Sequence, residues 1–168
     1  SEGAMDDSIR HSITKMSSLH FTSTEEYRRR VIQLGEQPER VFYVGALGVE
    51  NLKKVPLMRK LELEDSLNFK FGGLSVLVTY HPVTLGNRIP KDEISDLLKA
   101  LDSFSSLKVL FTMPNSDQGG EEIRSAIEEY CVRNEERCRC FKSLGVRRYL
   151  STLGYVTAVV GNSSSGLL

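Results

Sequence analysis

Three polar clusters in this chain stand where a parallel sheet would do chemistry. The segment His81-Pro82-Val83-Thr84 follows the apolar run 74–80 (LSVLVTY). Residues 114–120 (PNSDQGG) follow the apolar run 107–113 (LKVLFTM), and residues 161–166 (GNSSSG) follow 155–160 (YVTAVV). Ligands of open parallel sheets bind outside the carboxyl ends of the strands, near helix N-termini. Three polar clusters at successive strand ends therefore make a candidate binding rim, although caps and tight turns use the same residue types. In GNSSSG, two glycines bracket Ser163, Ser164 and Ser165. Such a loop lets backbone N–H groups and hydroxyls converge on an anion at the positive end of a helix. A capped helix start is the plain alternative. No lysine follows the second glycine, so this is not a Walker A loop, and the glycine spacing is not the dinucleotide fingerprint.

His81 leaves a buried strand and precedes a proline that keeps the chain out of helix. It is either an anion contact and proton donor or a packed imidazole. His20, inside an apolar segment, reads as structural, and His11 fits either role. Asp6 and Asp7 are adjacent carboxylates at a helix start, where the helix dipole alone accounts for them. Cys131, Cys138 and Cys140 are odd in number and lack a following histidine. Four-ligand zinc coordination is therefore not supported, and reduced structural cysteines are expected. Asn162-Ser163-Ser164 fits a glycosylation acceptor by letter, with nothing else pointing to secretion.

The elements that must position these residues follow from periodicity. Ile9, Ile13 and Met16 predict a helix over 7–17, and 19–22 a short strand. Ser23 and Glu26 form a capping box for a helix bearing Tyr27, Val31 and Leu34, stopped by Gly35. Residues 40–45 read as a strand and 47–73 as one or two helical pieces around Pro56. The runs 74–80 and 107–113 are strands buried on both faces. Pro90 opens a helix with Ile94, Leu97, Leu98 and Leu101 on one face. Ile123, Ala126, Ile127 and Tyr130 mark the next helix, 139–141 a small strand, 146–153 a short helix and 155–160 the last strand. Strand and helix alternating in this way predict an α/β fold: a Rossmann-like parallel sheet with helices on both faces.

Length and composition bound the function. The 168 residues suit one ordinary domain, and 40% hydrophobic with 26% charged residues is a globular mixture. Twenty-two basic residues balance 22 acidic ones, which removes the usual electrostatic case for nucleic acid or an anionic membrane as partner. No apolar run is long enough to span a bilayer, and the start, SEGAMDDSIRH, has no signal-peptide pattern. The chain starts in a helix and stops at a loop that should open another, so an interior piece of a longer protein is expected.

Together these clusters resemble the hydrolysing UDP-N-acetylglucosamine 2-epimerases. The resemblance is carried by residues 2–11 (EGAMDDSIRH), Ile13 to Met16, Leu19-His20-Phe21, Arg40-Val41, Gly45, the His81–Thr84 motif and GNSSSG. It implies the second half of a GT-B enzyme, two Rossmann-like domains with a UDP-sugar in the cleft between them. Residues 1–44 would be the tail of the N-terminal domain and 45–168 most of the C-terminal, UDP-binding domain. It further implies elimination of UDP through a 2-acetamidoglucal intermediate, then hydration to free N-acetylmannosamine, the sialic acid precursor. No organic cofactor and no metal are expected, and the parent is expected to be a cytoplasmic homo-oligomer.

Position by position, the resemblance implies that Ser163 and Ser164, with Ser165 alongside, hold the diphosphate. His81 would stabilise the departing UDP, Asp6 would be a carboxylate of the catalytic cleft, and Arg10 an active-site arginine one helical turn on. Leu144 would lie where the uracil is seated. The family's other catalytic carboxylates, and a glutamate that follows the Gly/Ser loop, are not within this sequence, so the piece alone is expected to be inactive. The competing readings are the same chemistry on UDP-N,N'-diacetylbacillosamine and a non-catalytic UDP-binding module. A UDP-sugar glycosyltransferase fits the fold but not the Asp6–His11 motif.

Overall fold

Why two apolar runs become the middle of a sheet is visible in how their side chains divide. In the computed structural model, which describes residues 5–82, 90–114 and 120–163, strand β3 (Ser75–Thr79) is buried at every position. Strand β4 (Lys108–Thr112) is buried through its three central residues. Side chains alternate across a strand, and here each face has its own core. Val76 and Val78 of β3 and Val109 and Phe111 of β4 pack with Ile94, Leu98, Ile123 and Ile127 on one side. Leu77 and Leu110 pack on the other side with Leu63, Leu67, Phe69 and Phe71. Strands covered on both faces need no polar alternation, hence the unbroken hydrophobic sequence.

The chain forms two compact units, residues 1–55 and 56–168. The first holds helix α1 (Met5–Met16), strand β1 (His20–Thr22), helix α2 (Glu25–Gln33), a 3₁₀ turn (Pro38–Arg40), strand β2 (Val41–Tyr43) and helix α3 (Leu47–Lys54). β1 and β2 pair in parallel, and Phe21 stacks on Phe42 across them. The helix cap differs from the sequence expectation. Thr24, not Ser23, caps α2 by accepting from the Tyr27 N–H at 3.1 Å. The helix thus begins one residue later, and Glu26 lies in its first turn rather than closing a box with Ser23.

In the second unit, α4 (Lys60–Leu67), β3, α5 (Pro90–Asp102), β4, α6 (Gly120–Arg133), β5 (Cys138–Phe141), α7 (Gly145–Leu153) and β6 (Ala158–Gly161) succeed one another. The four strands form one parallel sheet in the order β5-β4-β3-β6. The last strand is shorter than expected. Tyr155 and Val156 send their N–H groups back to the Thr152 carbonyl, completing the end of α7, and the Tyr155 hydroxyl donates to the Met58 carbonyl. Only from Thr157, whose N–H reaches the Ser75 carbonyl at 2.7 Å, does the chain join β3.

This order has a consequence for ligand binding. From β3 the chain steps outward to β4 and then β5, and it returns to the opposite side of β3 for β6. The direction of winding reverses between β3 and β6. At such a reversal the two connections leave on opposite faces and open a crevice at the carboxyl ends.

Candidate functional site

The crevice between the ends of β3 and β6 brings together two of the three polar clusters. The strands stay in register up to Thr79 opposite Gly161. Just beyond, His81 leaves β3 and Asn162-Ser163 leave β6. The two departing segments are bonded to each other. The His81 N–H donates to Asn162 Oδ1 and Asn162 Nδ2 donates to the His81 carbonyl, both at 2.8 Å. His81 and Ser163 are each half-buried and Pro82 is buried, so the rim is partly sheltered from water.

Neighbouring side chains brace this edge. The hydroxyls of Thr79 and Thr112, at the last positions of β3 and β4, are hydrogen-bonded to each other. The Tyr80 hydroxyl donates to Glu93 Oε2 at 2.7 Å and ties the end of β3 to the first turn of α5. A carboxylate engaged in this way faces a phenol rather than the open crevice. Among the described residues at the rim, Thr79, Thr112, Asn162 and Ser163 offer neutral hydroxyls and amides beside the His81 imidazole, chemistry that suits a polyanion whose charge is met by cations elsewhere. Among the described residues, no three His, Cys, Asp or Glu side chains converge as a metal site would require.

The other sequence-derived candidates fall in different places. Asp6 and Arg10 lie one turn apart in α1, in the first unit, and Arg10 is exposed. Leu144 directly precedes α7, and its side chain is 3% exposed, packed with Met58, Leu63 and Leu110. Its carbonyl accepts from Arg148 Nε at 2.8 Å, so main chain and side chain are both engaged within the protein. Ser164 and Ser165, and the residues 83–89 and 115–119 of the other two clusters, lie outside the described residues.

His20 is buried, its Nε2 3.3 Å from Glu36 Oε2, which agrees with a structural role. His11 is exposed, 3.9 Å from Asp7. Cys131 and Cys138 are buried free thiols and Cys140 is partly buried. One residue of the site escaped assignment from sequence. Asn162 reads as part of a Gly/Ser turn, and its task depends on a strand 81 residues earlier. A carboxamide directly after the final glycine of a strand was the available signal.

Comparison with known proteins adds the family. The family model described as UDP-N-acetylglucosamine 2-epimerase matches residues 1–168. A GDP/UDP-N,N'-diacetylbacillosamine 2-epimerase (hydrolyzing) of Campylobacter jejuni is 43% identical over 98% of this chain and 43% of its own length. The polysialic acid biosynthesis protein P7 of Escherichia coli is 42% identical over 97% of this chain and 41% of its own. The chain thus spans about two fifths of the length of these relatives. The crystal structure of UDP-GlcNAc 2-epimerase from Neisseria meningitidis bound to UDP-GlcNAc superposes with a TM-score of 0.63 at 13% identity. It covers 89% of this chain, which covers 41% of it in turn. At that identity the likeness concerns the fold, a Rossmann-like α/β arrangement of the GT-B type.

Proposed function

The chain belongs to the UDP-N-acetylglucosamine 2-epimerase family, and from that premise we propose that it supplies the UDP-binding half of a hydrolysing UDP-N-acetylglucosamine 2-epimerase. The observation that carries the reading is the convergence of His81 and the Gly/Ser loop at the β3/β6 reversal. In the proposal, residues 1–44 end an N-terminal domain and 45–168 form most of the UDP-binding one. The sugar would lie in the cleft of the full-length, cytoplasmic, homo-oligomeric enzyme.

The chemistry asked of these residues is specific. Eliminating UDP breaks the bond from the anomeric carbon to the β-phosphate oxygen while a carboxylate base of the cleft takes the proton from C2, giving 2-acetamidoglucal. Negative charge grows on the departing diphosphate. Fixed donors aimed at that charge lower the barrier because they need no reorganisation during the step. Ser163 and Ser164, with Ser165 beside them, hold the diphosphate, and His81 donates to it as it departs. Asp6 acts as a carboxylate of the cleft and Arg10 as a cation toward the substrate. The uracil is seated near Leu144. Water then adds to the glycal to give N-acetylmannosamine, which enters sialic acid synthesis.

A second reading keeps every step and changes the sugar to N,N'-diacetylbacillosamine. The 43% identity to a relative named for that substrate favours it. One experiment separates the two. The full-length protein carrying this chain is incubated with each UDP-sugar and followed by proton NMR. Free N-acetylmannosamine with UDP supports the first reading, turnover of the diacetylated sugar alone supports the second, and no turnover of either removes both.

A further inference from the structure

The Asn162 side chain extends the ladder between β3 and β6 past its last backbone pair. Beyond Thr79 and Gly161, the main chain of His81 meets a carboxamide in place of a further strand residue. Its N–H donates to Asn162 Oδ1 and its carbonyl accepts from Asn162 Nδ2, each at 2.8 Å. Only one orientation of the amide satisfies both bonds, since the flipped form sets N–H against N–H and oxygen against oxygen. Asn162 is also joined covalently to Ser163. Behind it, Gly161 lies hard against the Thr79 carbonyl, so the anchor point has little room to shift.

We propose that Asn162 is a positioning residue that locks His81 to the start of the Gly/Ser loop, so that the imidazole and the Ser163 hydroxyl keep one fixed spacing across the crevice. The proposal rests on the reading of the crevice as the diphosphate site and deepens it. Asn162 acts through the His81 main chain. Its loss therefore releases the imidazole from alignment with the leaving oxygen while the Ser163 hydroxyl, on its own strand end, stays available to UDP. The effect falls on turnover rather than on affinity.

The test uses the full-length protein with Asn162→Ala and Asn162→Asp. The aspartate keeps the acceptor for the His81 N–H and loses the donor to its carbonyl. Hydrogen exchange at the His81 amide, read without substrate, should quicken about three- to tenfold in Asn162→Ala, the range for one net hydrogen bond. It should stay slow in Asn162→Asp. With UDP-sugar, kcat of Asn162→Ala should fall on the order of a hundredfold, as expected for a misaligned catalytic group. The Kd for UDP and the melting temperature should stay close to wild type. Unchanged exchange at His81 in Asn162→Ala overturns the lock. So does a loss confined to UDP affinity, or a loss of turnover that only follows a lowered melting temperature. A wild-type protein inert toward UDP-sugars ends the functional reading instead, and the exchange measurement, which needs no substrate, still decides the lock.

Discussion

Gly161 of β6 packs so closely on Thr79 of β3 that a Cβ at Gly161 would lie 1.8 Å from the Thr79 carbonyl oxygen. Its φ of 136° is also one that residues with side chains rarely adopt. Sequence, backbone and site meet at this pair. The glycine lets the two strand ends touch, and that contact sets the distance from which His81 and Ser163 enter the crevice.

Gly161→Ala should therefore cost more than a common glycine substitution. Overpacking and backbone strain together predict a loss of about 3 kcal/mol or more. Urea denaturation of the full-length protein checks this. A loss under about 1 kcal/mol would mean that the ends of β3 and β6 lie further apart.

In the first unit, Lys15 Nζ donates to Glu36 Oε1 at 2.8 Å. That bond, aided by the Lys15 and His20 charges and opposed by burial, holds the Glu36 carboxyl below the usual glutamate value. A depressed carboxyl stabilises the fold above its unfolded pKa, and that contribution disappears as pH falls through the folded one. Lys15→Met should thus destabilise the full-length protein at pH 7, with the penalty shrinking below about pH 4. Urea midpoints at both pH values test this, and a penalty independent of pH would contradict it.

Burial pushes the Cys138 thiol up to about 11. It raises that of Cys131 as well, where the neighbouring Cys140 adds to the effect. Both groups are protonated at neutral pH, and the thiolate is the reactive form. Alkylation of Cys131 and Cys138 by iodoacetamide should therefore track unfolding of the protein. Rapid labelling of either in the native state would refute their packing against α5, α6 and the sheet.

Much of the fold is legible in local pattern. The unbroken runs 74–80 and 107–113 announce strands covered on both faces, and Pro90 and Gly35 mark a helix start and stop. The errors lie where individual hydrogen bonds, local or tertiary, choose between equal options in the sequence. Ser23 and Thr24 are both competent caps, and the N–H of Tyr27 reaches Thr24. Tyr155 and Val156 read as strand, yet their N–H groups complete the end of α7 and the Tyr155 hydroxyl reaches Met58. The polar rim could be read from composition. The role of Asn162 could not, because it exists only once β6 has crossed back to the side of β3.

The central claim is that the β3/β6 crevice holds a diphosphate. Calorimetric titration of UDP into the full-length protein and its Ser163→Ala variant tests it most directly. A hydrogen bond to a charged oxygen is worth about 1.5–3 kcal/mol, so affinity should fall roughly ten- to a hundredfold. Equal affinity in the two proteins would take the Gly/Ser loop out of the phosphate site and contradict the account.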